Sequence, residues 1–504
     1  MFQIKNFTPR SYQNNILQTA LNHNTLVVLP TGLGKTAISV LLSIERLNKY
    51  PSSKILICSP TKPLCNQHLE SFKKYTNLDP ELIVLFTGAI EPKKRISLIE
   101  SAKVITATPQ TIASDIKNNR LSLKDFSLLT IDEAHRSRQR FANTIITKIY
   151  RETSQFPRIL ALTASPGGSK EKINEIIENL FIEKVEIRTE TDEDIQKYVQ
   201  EKNFEWITVE LPKELKEVHS LMKDFYREKL QELKKLGFTK PVSLINKKDL
   251  LQLQRQFMQE IKNKNQIAYY GISLVAQLMK LSYCIELLET QTLNSLQSFF
   301  KKLELETTKA SIIILKNKNM QKAIQLTNSL IERNINHPKV DKLISIINEQ
   351  ISKNPDSKII LFTNYRNTVD ELLRILNLNN LKAAKLIGQK EGYTQKQQIS
   401  IIKDFENGIY NILVSTSVGE EGLDIKGSEI AIFYDNVSTS IRKIQRAGRV
   451  ARLSSGKIIF LITKDTIDEA YYWKSKREEK KMHNILYNMQ DKHKTETQKT
   501  LDFK

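Results

Sequence analysis

Seven consecutive residues, Pro30-Thr31-Gly32-Leu33-Gly34-Lys35-Thr36, follow the apolar run Leu26–Leu29. Glycines let backbone N–H groups wrap a phosphate, a lysine reaches the β and γ oxygens, and a hydroxyl can hold magnesium. An anion also gains from the N-terminus of the helix that such a loop opens. The stretch therefore predicts an ATP phosphate site on Thr31, Gly32, Gly34, Lys35 and Thr36, although Leu29 stands where the common pattern begins with glycine. Well downstream, the strand-like Leu128-Leu129-Thr130-Ile131 ends in Asp132-Glu133-Ala134-His135. Two acids at the carboxyl edge of a sheet complete such a site: Asp132 to hold magnesium with Thr36, and Glu133 to orient or deprotonate the attacking water. A third stretch, Gln445-Arg446-Ala447-Gly448-Arg449-Val450-Ala451-Arg452, spaces two arginines three apart, on one helix face. Gln445, Arg449 and Arg452 could stabilise charge on the transferring phosphoryl group, or form a basic face toward nucleic acid or solvent.

The elements that must position these residues follow from hydropathy. Leu26–Leu29, Lys54–Cys58, Leu82–Phe86, Lys103–Thr106, Leu128–Ile131 and Ile159–Leu162 read as buried strands alternating with helices or loops, a parallel sheet covered on both faces. From Leu211 the pattern turns helical, with Leu215, Val218, Met222 and Phe225 on one stripe. Strand–helix alternation resumes after His337-Pro338, with strands expected at Lys358–Phe362, Ala383–Ile387, Ile412–Ser415, Ile430–Tyr434 and Ile458–Ile462. The expected organisation is an α/β domain over 1–205 that binds ATP, a helical insertion over 206–335, a second α/β domain over 336–473, and a basic, flexible tail over 474–504.

Composition narrows the class. The chain has 504 residues, 40% of them apolar, enough for a large core. Its 77 Lys and Arg against 56 Asp and Glu leave a net charge of +21, which favours a polyanionic partner. Between 211 and 330 the cations outnumber the anions by 20 to 11, so the insertion is either a basic arm for nucleic acid or a bundle with solvated lysines. Three scattered cysteines, Cys58, Cys65 and Cys284, make no zinc knuckle and no paired disulfide framework. MFQIKNFTPR lacks the apolar core of a secretory leader, and no run of 18 apolar residues suggests a membrane partner. A cytoplasmic, nucleoid-associated location is the expectation.

The ordered motifs resemble superfamily 2 helicases of the Asp-Glu-Ala-His type, most closely the helicase part of archaeal Hef and the Fanconi-anaemia M-type fork translocases. Arg10-Ser11-Tyr12-Gln13 is similar to the family's adenine-reading segment, which implies ATP contacts for Arg10 and Gln13. Pro60-Thr61-Lys62-Pro63-Leu64 with Gln67-His68, Thr87-Gly88 and Thr108-Pro109-Gln110 resemble strand-contacting motifs. Thr163-Ala164-Ser165 resembles the motif that couples hydrolysis to grip, assigning that role to Thr163 and Ser165. Phe362-Thr363-Asn364-Tyr365-Arg366 and the stretch Ser415 to Ile425 resemble the second half's motifs, the latter adding Gly422 and Asp424 as ATP contacts. Gly419 and Ala451 replace the family's usual alanine and glycine.

The resemblance implies two RecA-like domains and ATP- and magnesium-dependent movement, 3′ to 5′, on forked or branched DNA, with the insertion as a thumb that recognises the branch. Strand contacts would fall on Thr61, Gly88, Thr108, Thr363 and Thr416, through hydroxyls and N–H groups that read phosphate rather than sequence. No Glu-Arg-Lys-x-x-x-Asp cluster occurs, so cleavage is not expected. Gln498-Lys499-Thr500-Leu501-Asp502-Phe503 resembles a sliding-clamp peptide, or is a plain tail. The alternative is an ATP-gated double-stranded RNA motor of the Dicer or RIG-I type, whose core carries a related insertion.

Overall fold

The computed structural model describes residues 1–501 except 140, 191, 199–201, 242–244, 263, 389–393, 417–427 and 437–455; the side chains of 202, 395 and 491–501 are also outside the description. Short runs rich in Val, Ile and Leu, apolar on both faces, form central strands of parallel sheets. Seven do so in the first lobe: β1 (Thr25–Val28), β2 (Lys54–Cys58), β3 (Ile83–Phe86), β4 (Val104–Ala107), β5 (Phe126–Ile131), β6 (Ile159–Thr163) and β7 (Lys184–Ile187). Their order across the sheet is β3-β4-β2-β5-β6-β1-β7, every pairing parallel. Helices α1 (Ser11–Asn22), α2 (Lys35–Lys49) and α3 (Lys62–Tyr75) pack on one face, where Ile16, Leu42, Leu47 and Phe72 are fully buried against Val27, Ile55 and Leu128.

The second lobe repeats the plan with β8 (Lys202–Val209), β9 (Ile359–Phe362), β10 (Ala383–Leu386), β11 (Ile412–Ser415), β12 (Ile430–Phe433) and β13 (Gly456–Thr463), ordered β10-β11-β9-β12-β13-β8 and again parallel. The two lobes are thus parallel-sheet domains with a helical region between them, of RecA-like type. The expected boundary between residues 205 and 206 is corrected here, because it falls inside β8. That strand pairs with β13 from Lys202–Gly456 to Val209–Thr463, so the chain has already crossed to the second lobe before the insertion begins. β8 is an edge strand that keeps one face exposed, with Trp206 at 48%.

The insertion is a helical bundle. Leu215, Val218, Met222 and Phe225 of the helix Lys213–Lys235 meet Leu281, Cys284 and Leu288 of the helix Gln266–Thr290 in one core. The latter is long and apolar enough to cross a bilayer by composition, yet its second half lines this core, Leu274, Val275 and Leu278 line another, and its Glu289 is buried.

The expectation of a flexible tail from 474 is also corrected. The helix Ile467–Leu501 starts in the second lobe and runs back onto the first. Met482 and Leu486 are fully buried in the first lobe's core beside Val185 and Ile187 of β7. Tyr487 Oη donates to Asp192 Oδ2 at 2.8 Å, and Ile187 N donates to Gln490 Oε1 at 3.4 Å. Lysines and glutamates interrupt the buried stripe of Ser475, Met482, Leu486 and Gln490 and blur its helical spacing.

Candidate active site

Every loop of interest in the first lobe leaves a carboxyl end of its sheet, where ligands bind in such folds. Strand order divides that edge into two halves. β3, β4 and β2 are neighbours, and they are followed by Gly88, Thr108 and Thr61. β5, β6 and β1 are the next neighbours, and they are followed by Asp132-Glu133, Ala164-Ser165 and the Pro30–Thr36 loop. The expected nucleic-acid contacts and the expected ATP groups of this lobe therefore lie side by side without mixing.

The phosphate loop is held from both ends. Leu29 N donates to Thr163 O at 3.1 Å, and Gly34 caps α2. Gly32 and Gly34 take φ of +89° and +75°, the left-handed region that disfavours any side chain. A Cβ on Gly34 would also lie 2.5 Å from Gln13 Nε2. Gln13 is spent on this clamp: its Oε1 accepts from Arg10 N at 2.9 Å and its Nε2 reaches Leu33 O at 3.5 Å. Tyr12 Oη donates to the same carbonyl at 2.6 Å. Arg10 lies 4.5 Å over the ring of Tyr198 and donates to Tyr12 Oη at 3.2 Å. The adenine-reading segment thus braces the loop as well as facing the cavity. Lys35 Nζ is held over the loop by Leu29 O at 2.9 Å and Pro30 O at 3.3 Å.

A cavity of about 460 Å³ brings together Arg10, Gln13, Thr31, Gly32, Gly34, Lys35, Thr36, Asp132 and Glu133. That volume suits a small-molecule ligand. Phe7, Thr8, Ser71 and Tyr75, not singled out by their sequence, line it too, and so do Leu64 and Gln67 of the stretch that resembles a strand-contacting motif. The available signal was helical: Leu64, Gln67, Ser71 and Tyr75 recur on one face of α3, which opens on the strand next to β5.

The acids are tightly placed. Burial opposes ionisation of Asp132, but His68 and Lys35 outweigh it and hold the carboxyl below its ordinary value. His68 Nε2 lies 3.0 Å from Asp132 Oδ2, and Glu133 N donates to Oδ1 at 2.9 Å. Glu133 has φ +50°, a left-handed conformation uncommon outside glycine. His135 Nδ1 stands 3.2 Å from Glu133 Oε2 and 3.3 Å from Thr163 Oγ1. Thr163 Oγ1 accepts from Ser165 N at 3.1 Å, and Ser165 Oγ contacts Met482 Sδ at 3.0 Å. A chain of close contacts thus runs from Glu133 through His135, Thr163 and Ser165 to the helix that comes from the second lobe.

Magnesium fits the donors present. The Thr36 hydroxyl and an ionised Asp132 are hard oxygen ligands. Among the described residues no cluster of three or more His, Cys, Asp or Glu is placed to hold a metal.

In the second lobe the expected strand contacts are placed differently. The Thr363 side chain is fully buried, and its hydroxyl donates to Asp435 Oδ2 at 3.0 Å. The expectation that this hydroxyl meets a strand is therefore corrected: packing of the insertion covers it. Thr416 is buried as well, at 6% exposure, whereas Thr61 and Thr108 are partly exposed and Gly88 is open. Gly422, Asp424, Gln445, Arg449 and Arg452 lie outside the described residues, as do residues 502 and 503 of the clamp-like peptide.

With that geometry in place, three family descriptions match in chain order. They are the DEAD/DEAH box helicase over residues 10–176, the helical bundle of ATP-dependent RNA helicases over 214–334, and the helicase conserved C-terminal domain over 338–454. The crystal structure of the Pyrococcus furiosus Hef helicase domain is 43% identical, with a TM-score of 0.73, covering 93% of this chain and 98% of that one. A Methanocaldococcus jannaschii protein named as an ATP-dependent RNA helicase is 37% identical over 489 residues, 96% of this chain and 61% of its own. The ATP-dependent DNA helicase mph1 of Neurospora crassa is 33% identical over 92% of this chain and 41% of its own. The chain spans less than two thirds of the length of these curated relatives.

Proposed function

The chain belongs to the DEAD/DEAH-box helicases of the Hef type, and from that premise we propose that it is an ATP-hydrolysing motor that moves 3′ to 5′ on forked or branched DNA and remodels it. The observation that carries the reading is the convergence of Lys35, Thr36, Asp132 and Glu133 on one cavity at the carboxyl edge of the first sheet. Lys35 would hold the β and γ phosphates, while Thr36 and Asp132 would hold the magnesium ion, which neutralises charge on the phosphate oxygens. Glu133 would orient the attacking water and receive its proton. Gln445, Arg449 and Arg452 of the second half would meet charge on the transferring group, with Gly422 and Asp424 completing the nucleotide contacts.

Grip on the nucleic acid is assigned to the other half of the same edge, through Thr61, Gly88 and Thr108. Thr163 and Ser165 would couple the two, since they join the Glu133 side to the returning C-terminal helix. The basic insertion, anchored in the second lobe through Gln291 and Asp435, would meet the branch.

A second reading has a specific support. The matched helical bundle and the Methanocaldococcus relative both carry RNA helicase names. ATP turnover measured on forked DNA, four-way junctions, linear duplex and duplex RNA separates the readings. Strongest stimulation by the branched DNA, together with displacement of a strand, is the expected result. A stronger response to duplex RNA would reverse the assignment.

A further inference from the structure

Helix α3 begins at the nucleic-acid half of the sheet edge and runs along the nucleotide cavity. It follows β2, the last strand of the first group, and Thr61 caps it by accepting from Leu64 N. One face of the helix, with Leu64, Gln67, Ser71 and Tyr75, lines the cavity. The adjoining face is a buried stripe of Cys65, His68, Leu69 and Phe72. His68 is the polar member of that stripe, 2% exposed, and its Nε2 lies 3.0 Å from Asp132 Oδ2, on the neighbouring strand's loop.

The chemistry of that contact is constrained. A carboxylate only accepts, so Nε2 must carry the proton. The other ring nitrogen, Nδ1, is buried with no hydrogen-bond partner. An apolar side chain would fill the stripe without leaving such an atom unpaired, which costs free energy. What a histidine supplies there and a leucine cannot is the Nε2–H aimed at Asp132. Ser59 Oγ also approaches Oδ2, but at 3.5 Å, a weak bond. Glu133 N occupies the other oxygen at 2.9 Å. Together they fix the plane of the carboxylate, with His68 as its shorter side-chain restraint.

We infer that His68 is a positioning residue: it orients the Asp132 carboxylate for the nucleotide's metal ion and ties that acid to the helix rooted in the strand-gripping half of the edge. This rests on the proposed role of Asp132 as the metal-holding acid. Side chains that orient a metal ligand typically change metal affinity by about 10–100-fold when removed. A histidine that merely packs would not act on the metal selectively.

Two polar variants separate the nitrogens. The amide of His68→Gln reaches the place of Nε2, and that of His68→Asn the place of Nδ1. Binding of a fluorescent, non-hydrolysable ATP analogue is measured with magnesium and with EDTA, beside Asp132→Asn. In His68→Asn the gain in affinity from magnesium should shrink by about tenfold, while His68→Gln keeps most of it and the EDTA affinities stay level. Retention of the full gain by His68→Asn, with Asp132→Asn losing it, overturns the positioning role alone. Retention by Asp132→Asn overturns the reading of the site itself. Should His68→Asn fail to fold by circular dichroism, His68→Gln decides: loss of the magnesium gain there refutes the proposal, and its retention supports it.

Discussion

The two lobes present the same carboxyl edge of a parallel sheet and use it in opposite ways. In the first lobe the edge faces a cavity, and Lys35, Thr36, Asp132 and Glu133 converge there. In the second, the described polar groups at the edge bond one another. Asp435 Oδ2 accepts from Thr363 Oγ1, from Asn364 N at 2.9 Å and from Gln291 Nε2 at 2.7 Å. Thr368 Oγ1 in turn donates to Gln291 Oε1 at 2.7 Å. Beside it, Lys339 and Asp468, both fully buried, form an ion pair, and Asp468 also accepts from Asn436 N at 3.0 Å. Gln291 belongs to the insertion and Asp468 to the C-terminal helix, so the described part of this edge serves as an anchor for both. Among the described residues what differs is cover: the insertion and the C-terminal helix seat on the second edge, whereas the first faces a cavity.

The sharpest way to break this contrast is to remove one anchor. Lys339→Met leaves Asp468 charged and buried without its cation, and should cost about 3–5 kcal/mol in urea unfolding. Nucleotide affinity of the folded protein should be unchanged; a matching loss would mean that the two edges are not separate in role. Lys35→Ala is the complement. It should lower ATP turnover by about 10²–10³-fold with little change in the unfolding midpoint, and normal turnover would remove the lysine from the chemistry.

A pH titration refines the anchor further. His337 caps the first helix after the insertion, its Nδ1 accepting from Lys339 N at 3.2 Å. Burial and the neighbouring Lys339 push its imidazole down to about 3. The unfolded chain, with a pKa of about 6.5, binds that proton first. This histidine therefore contributes stability above about pH 6.5 that is lost as pH falls from there toward the folded value. His337→Asn keeps a capping acceptor without the titration, so its stability profile should be flatter over that range. An unchanged profile would assign the pH dependence to other groups. The smallest effect is expected of Thr363→Val: about 1 kcal/mol of stability and unaltered DNA affinity, whereas Thr61→Val should weaken DNA binding. Equal losses in both variants would return Thr363 to the list of strand contacts.

Legibility followed distance along the chain. Gly32, Gly34, Lys35 and Thr36 are contiguous, and the run before them and the helix after them belong to the same local stretch, so type and spacing sufficed. Asp132 and Glu133 end a strand whose apolarity marks it as central. The alternation of strands and helices gave both lobes and the insertion between them. β8 was less legible because its alternating pattern does not say which sheet it joins, and the C-terminal helix because charged residues obscure its buried stripe.

Sequence alone determined that a phosphate loop, a pair of acids and two α/β halves are present, since each is encoded by neighbours within a few residues. Tertiary structure decided which polar groups stay open to a ligand. Thr61 and Thr363 look alike in sequence, yet only Thr363 is sealed, because Gln291 and Asp435, far apart in the chain, meet above it. In the same way His68 and Asp132 become partners only when β2 and β5 pair. A hydroxyl or imidazole carries no mark of the neighbour that will bury it; that is fixed only when distant segments pack and exclude water.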